Sequence, residues 1–401
     1  METDASEAIA VTRFREYIRI NTSHPDPDYD GARRFYEKYA AELGLTFTSV
    51  QLTPNRTMEI LTWTGSDVTL PSVMLYCHTD VVPSFPDHWK YPPLSAHKDE
   101  QGDIYGRGTQ DMKCVGIQYL EAIRELKQQG TQLPRTFHVV FGPDEEIGGV
   151  HGMTTFVRTE EFRKLNIGFA LDEGLASSEE HFRVFYAERN VWWLEVTCHG
   201  NPGHGSAFLA NTAAEKLRRV INSFLEHRQQ QQQRLASDPS LSAGDVTSIN
   251  LTIMKGGVQY NVVPESFSAG FDIRIPPTES LEDFDKMLEE WRIEAGSDVT
   301  YTYHHKTNST SEHITPTDDS NPWWIKFSRA CQSTGITIRK EIFPAGTDGR
   351  QLRLLGLPVL GFSPINNTPI LLHDHNEYLN EAVFLRGVSI YKQILRELGS
   401  P

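Results

Sequence analysis

The chain has 401 residues, 38% of them hydrophobic, which is enough apolar material for a sizeable core and a length that suits about two domains. Its 53 acidic against 38 basic residues give a formal net charge of −15, the wrong sign for a nucleic-acid partner, since phosphate binding needs concentrated Lys and Arg. No run approaches the ~18 apolar residues of a membrane-spanning helix, and residues 1–7 are acidic with no apolar signal core. The four cysteines, Cys77, Cys114, Cys198 and Cys331, are scattered and form no C-x-x-C pair. A cytosolic protein with no membrane partner is therefore expected.

In chain order, apolar residues recur at helical spacing over residues 9–20 and 32–43. Short apolar runs at 73–77, 136–141 and 167–171 read as strands, with a helix over 116–128 between them. Strands alternating with helices predict an α/β domain with a mostly parallel central sheet. The middle of the chain has another rhythm. Strands are expected at Asn190–His199, 246–254, Ser266–Ile275 and 299–304, and helices at 213–228 and 281–294. That β-α-β-β-α-β order is the pattern of an α+β ferredoxin-like sandwich. The glutamine run at 229–233 reads as an exposed helix end or loop. From Asn321 the α/β pattern resumes and closes on an amphipathic helix at 381–398. The expected division is a catalytic domain over 1–187 and 307–401 interrupted by an inserted domain over 188–306.

Five motifs carry chemistry, and each also has a plain structural reading. Leu75-Tyr76-Cys77-His78-Thr79-Asp80 ends an apolar strand, and ligands of open α/β sheets bind beyond the carboxyl ends of strands. His78 and Asp80, two apart, face the same side. Asp80 can accept the second ring N–H of a metal-bound His78 or support the site less directly. The pair can equally be an ordinary surface His-x-Asp. Tyr105-Gly106-Arg107-Gly108-Thr109-Gln110-Asp111-Met112-Lys113 places Asp111 at the start of a predicted helix, where a carboxylate can simply cap. It completes no nucleotide-binding glycine pattern. Gly142-Pro143-Asp144-Glu145-Glu146-Ile147-Gly148-Gly149 sets three acids together at a strand end, a costly arrangement unless solvated or bound to cations. One carboxylate can bind metal while its neighbour serves as general base. Leu171-Asp172-Glu173-Gly174 follows the next strand. In Leu371-Leu372-His373-Asp374-His375-Asn376-Glu377 either histidine can be a ligand or a surface residue. Acidic or histidine residues thus end strand after strand of one sheet, a nitrogen and oxygen donor set that suits zinc. The absence of H-E-x-x-H excludes a single-zinc protease helix.

The ordered set H-x-D, G-R-G-x-x-D-M-K, D-E-E-I-G-G, D-E-G and H-D-H-N-E resembles the aminoacylase/carboxypeptidase family of two-zinc amidohydrolases, along nearly the whole chain. The resemblance implies two Zn2+ per subunit. His78 and Glu173 would bind one, Glu146 and His373 the other, and Asp111 would bridge both. Glu145 would be the general base and Asp80 an outer support. His373 is preferred to His375 because the family's ligand stands four residues before the closing Glu, here Glu377. A cis peptide is implied between Asp111 and Met112. In the inserted domain, Asn201-Pro202-Gly203-His204-Gly205-Ser206 resembles a loop whose histidine crosses a homodimer interface to stabilise the oxyanion. Asn261 and Arg274, within Tyr260-Asn261-Val262-Val263-Pro264 and Phe271-Asp272-Ile273-Arg274, would grip the substrate. A turn Asn and an Arg paired with Asp272 are the plain alternatives. Thr347 and Arg350, in Gly346-Thr347-Asp348-Gly349-Arg350, would help select it; Arg353 is a weaker candidate. The implied reaction is hydrolysis of N-acyl-L-amino acids, such as N-acetylated neutral aliphatic ones, in amino-acid salvage from the breakdown of N-acetylated peptides. A dipeptidase or carboxypeptidase of the same family is the enzymatic alternative. A non-catalytic binding dimer is the alternative from another class, although all five ligands and Glu145 are present.

Overall fold

The computed structural model describes residues 7–401, which form two compact units. The first comprises the chain up to Tyr186 together with Thr315–Lys340 and Thr347–Pro401; the second comprises Ala187–Ile314 and Glu341–Gly346.

The sheet of the first unit runs, from one edge, Thr46–Thr53, Arg56–Trp63, Phe137–Gly142, Ser72–His78, Ile167–Asp172, Val359–Gly361, Phe182–Glu188 and Ile338–Phe343. The four strands in the middle of that order are parallel, and the flanking pairs at Arg56–Trp63 and at Phe182–Glu188 are antiparallel. Every residue of Ser72–His78 is buried, as expected of a central parallel strand covered on both faces. Register decides what meets at the strand ends. His78 lies opposite Gly142 and Gly361 opposite Asp172, so the segments following these strands emerge side by side. The helix Lys113–Gln128 is buried along most of its length, within a core that also takes the inner faces of Ile9–Ile18, Tyr29–Leu43 and Glu381–Gly399. Phe14 stacks on Phe384 at 4.5 Å between ring centroids, and Tyr36 on Phe141 at 3.9 Å. A small antiparallel sheet pairs Leu379 with Ile104 and so brings the C-terminal motif to the glycine-rich segment. The helix that begins at Lys113 does not reach back to Asp111: its N-cap is Met112, with no side-chain cap. Capping is therefore not the role of Asp111.

The second unit has a four-stranded antiparallel sheet in the order Ser248–Gly256, Ser266–Ile275, Asn190–His199, Val299–Lys306. With strands numbered along the chain this is 2-3-1-4, the ferredoxin-like arrangement. Trp192, Leu194, Val196 and Cys198 alternate inward to meet Leu217, Val220 and Phe224 of the helix Ala213–Ser237 and Phe284 and Leu288 of Leu281–Ala295. The first of these helices runs nine residues past its expected end, because the glutamine run remains helical. Thr212 starts it with a capping box: its side chain accepts the Glu215 N–H, and the Glu215 carboxylate turns back to Thr212.

Candidate metal centre

At the ends of the parallel strands of the first unit, Asp111 turns its two oxygens in two directions. Oδ1 lies 2.9 Å from His78 Nε2, and Oδ2 lies 3.2 Å from His373 Nε2. His78 Nε2 is also 3.8 Å from Glu173 Oε2, and His373 Nε2 is 3.1 Å from Glu146 Oε2. One carboxylate thus stands between two His–Glu pairs. One donor atom each of His78, Asp111 and Glu146 falls within 4.8 Å of the others, and so do donor atoms of His78, Glu145 and Glu173. The peptide bond between Asp111 and Met112 is cis.

The buried acids and imidazoles of this cluster shift one another. Burial, together with the charge of Glu173, pushes the Glu145 carboxyl well above the usual range. Glu146 and Glu173 are raised by burial and by the charge of Asp111. Burial acts on Asp111 in the same direction, but His373 and His78 overcome it and hold Asp111 below its ordinary value. Asp111 and Glu146 raise His373 to about 10, and Asp111 and Glu173 raise His78 against the opposing effect of burial. Four acids and two imidazoles crowded in this way fit a pair of divalent cations, whose charge would relieve the repulsion.

The outer contacts depart from the simplest expectation. His78 Nδ1 faces the backbone oxygen of Asp80 at 2.9 Å, while the nearer Asp80 carboxylate oxygen is 3.9 Å away. That carboxylate instead accepts the backbone N–H groups of Glu145 and Glu146 at 3.1 and 3.0 Å. The Asp80 side chain therefore shapes the loop of the acids, while its backbone oxygen meets the ring of His78. Glu377, quoted in the sequence only as the end of a motif, has a comparable task. Its buried carboxylate accepts the N–H of Gly108 at 3.1 Å and of Gln110 at 2.7 Å and pairs with Arg107 at 2.8 Å, fixing the segment that delivers Asp111. Asp172, also unassigned from sequence, accepts the N–H of Glu173 at 2.8 Å and of Gly349 at 2.7 Å. It thereby ties the Thr347 loop to a ligand, and Thr347 itself hydrogen-bonds Asp172. Arg350 lies in the short helix Gly349–Arg353 that follows. An N–H accepted by a carboxylate leaves no trace in residue spacing, so only the adjacency of acids to the motifs could have pointed to Glu377 and Asp172.

In the second unit His204 is exposed, on a two-residue ladder that pairs Gly203 with Val263 and His204 with Val262. Its Nδ1 accepts the Ser206 N–H at 3.2 Å, so the neutral ring carries its proton on Nε2 and presents a donor. The Gly205 N–H donates to Asn261 O at 2.8 Å, and a side chain at Gly205 would meet the Asn261 backbone at 3.1 Å, which accounts for a glycine there. Asn261 is exposed beside His204. Arg274 grips Asp272 with Nε and Nη2 at 2.7 and 2.9 Å, and Trp193 Nε1 donates to the same carboxylate at 2.9 Å. The local pairing expected as the plain alternative is thus present.

Comparison with known proteins places this arrangement. Residues 74–397 match the peptidase family M20/M25/M40. The chain belongs to that family. This M20 chain is 52% identical over 395 residues to aminoacylase-1 of Mus musculus, covering 98% of the chain and 96% of the relative. Among solved structures, an M20 family metallo-carboxypeptidase from Sulfolobus solfataricus superposes with a TM-score of 0.74 at 14% identity, over 98% of this chain and 100% of that one. A dinuclear metal-binding M20 peptidase of Bacillus subtilis gives 0.64 at 15% identity, over 97% of each chain. At those identities the two structures speak for the M20 fold alone.

Proposed function

We propose that this chain is a metal-dependent amidohydrolase that cleaves N-acyl-L-amino acids to a carboxylate and a free L-amino acid. The observation that carries this reading is Asp111, with one oxygen toward His78 and the other toward His373. Likeness to aminoacylase-1 along 98% of the chain supports the substrate class. His78, Asp111 and Glu173 would hold one ion and Asp111, Glu146 and His373 the other. Nitrogen and carboxylate donors suit zinc at both positions. When bound, such a pair supplies Lewis acidity that makes water acidic near neutral pH.

The chain's own residues then handle protons and position. Glu145, with a carboxyl pushed up by its burial and its acidic neighbours, takes a proton from water and passes it to the leaving nitrogen. His204, with its donor on Nε2, supports the oxygen of the reacting carbonyl from the second subunit of a homodimer. Arg274 and Asn261 hold the substrate carboxylate, which Arg274 would take in place of Asp272. Thr347 and Arg350 border the position of the side chain. The domain division expected from sequence, an insertion over 188–306, accords with this sharing of roles. All four cysteines are free and buried, which supports a cytosolic setting. No helix among the described residues is long and apolar enough to cross a membrane.

The test is metal content and hydrolysis measured on one preparation, with N-acetylated amino acids set against dipeptides. Two metal ions per chain and preference for N-acetyl-L-methionine are expected. Faster cleavage of dipeptides would move the reading to a dipeptidase. Folded, metal-free dimers without turnover would make the chain a binding protein.

A further inference from the structure

The connector between the helices Ile9–Ile18 and Tyr29–Leu43 reaches the loop of the acids at two points. His24 Nε2 lies 2.8 Å from Asp80 Oδ2, the carboxylate that accepts the Glu145 and Glu146 N–H groups. Five residues later, the Tyr29 hydroxyl donates to Asp144 Oδ1 at 2.7 Å and accepts the Asp144 N–H at 2.9 Å. Asp144 is the residue immediately before Glu145 and stands at φ 64, a left-handed conformation that a non-glycine residue holds only with support. Arg56 completes that support. Its Nε donates to Asp144 Oδ2 at 2.7 Å, and its guanidinium lies 4.9 Å from the centre of the Tyr29 ring.

The connector itself is anchored. The His24 N–H donates to Val81 O at 3.1 Å, the Val81 N–H to Thr22 O at 3.0 Å, and the Asp28 N–H to Asn21 O at 2.8 Å. Asp28 also caps the helix that begins at Tyr29, accepting the Gly31 N–H at 2.8 Å. His24 and Tyr29 therefore project from a braced segment, and neither belongs to the ligand set or to the motifs read from the sequence.

We propose that His24 and Tyr29 are positioning residues for Glu145, acting through Asp80 and Asp144 on the backbone at and before the base. The proposal rests on the reading of Glu145 as the proton carrier. A carboxylate that must serve first a water and then a leaving nitrogen has little freedom to wander, and the direction of its side chain is set where its backbone is pinned. Asp80 pins the N–H of Glu145, and Tyr29 with Arg56 pins the residue before it. Loss of either hold lets the base drift, which harms the proton transfers more than binding.

The experiment compares Tyr29→Phe, His24→Ala and His24→Gln with wild type in the full-length protein, measuring kcat and KM for N-acetyl-L-methionine, metal content and Tm. Tyr29→Phe removes one hydroxyl, and His24→Gln keeps a nitrogen donor for Asp80. Tyr29→Phe and His24→Ala are expected to lower kcat by about 10- to 100-fold, the scale of a small misplacement of a catalytic group, with KM and metal content unchanged. His24→Gln is expected to recover most of the loss. Unchanged kcat in Tyr29→Phe and His24→Ala, a loss that follows loss of metal, or a His24→Gln no better than His24→Ala would each overturn the proposal. If His24→Ala does not fold, Tyr29→Phe and His24→Gln decide, the first expected to be slow and the second near wild type. A wild type that leaves N-acetyl amino acids intact sinks the functional reading and this inference together. An active wild type with unaltered variants sinks this inference alone.

Discussion

In the unit built on the parallel sheet, His78, Asp111, Glu146 and Glu173 lie against one another, held from behind by Asp80, Asp172 and Glu377. In the other unit, His204 and Asn261 stand exposed on a two-residue ladder, and Arg274 is occupied by Asp272. The first arrangement is braced by contacts within its own unit. The second leaves His204 and Asn261 exposed to solvent, while Arg274 is held by a local carboxylate. Fixed geometry goes with chemistry that must recur identically at every turnover, and exposed donors go with a substrate that must enter and leave.

Four experiments would break or sharpen that contrast. The largest effect is expected at Glu145. Glu145→Gln should lower kcat by about 10²–10⁴-fold, the usual worth of a general base, while both ions stay bound. Substantial turnover in a metal-replete variant would remove Glu145 from its role. His204→Ala should lower kcat by about 10²–10³-fold, as for other oxyanion donors, with an unaltered Tm because the side chain is exposed. If KM alone responds, His204 binds substrate without supporting the reacting oxygen.

Next in size is the pH dependence of metal uptake. His78 is raised by Asp111 and Glu173, His373 is raised to about 10, and Glu145 and Glu173 are raised mainly by burial. Near neutral pH the metal-free cluster therefore retains protons that an incoming cation must displace. Binding should release protons and tighten as pH rises, by about tenfold per pH unit for each proton released. Competition against a chelator at several pH values measures this, and affinity independent of pH would mean that the cluster is already free of protons. The smallest effect belongs to the start of the helix Ala213–Ser237 in the second unit. Thr212→Ala removes the capping box and should cost about 1 kcal/mol in denaturant unfolding, with kcat unchanged. A fall in kcat there would show that the unit's framework is as closely coupled to turnover as the metal loops are.

Strand ends were the legible part of this protein. Runs such as 73–77 and 167–171 are short, apolar and followed at once by His78 or by Asp172-Glu173, and the register does bring their following segments together. The ferredoxin-like order was legible because strand-like runs at Asn190–His199 and Ser266–Ile275 are set apart by the helical repeat at 213–228. Two boundaries were not. Glutamine and arginine extend the helix at Ala213–Ser237 through backbone propensity, without the apolar repeat that marks helices in a sequence. Asp111 looked able to cap a helix that in fact begins at Lys113. Asp80 was named as a support without its partners, and Asp172, Glu377, His24 and Tyr29 were hidden for another reason. They act through hydrogen bonds to distant backbone groups, and residue types at local spacings do not encode which N–H a carboxylate will meet.

His373 sits apart from the other residues of the cluster in one respect. Its side chain is 56% exposed, against 7% for Asp111 and 6% for Glu146, and it is carried on a residue at φ 62 rather than on a strand. The two halves of the centre should therefore exchange their ions at unequal speeds. His373 is exposed, whereas the His78 side chain is fully buried. Brief chelation should yield a half-loaded protein before an empty one, and reloading should proceed in the reverse order.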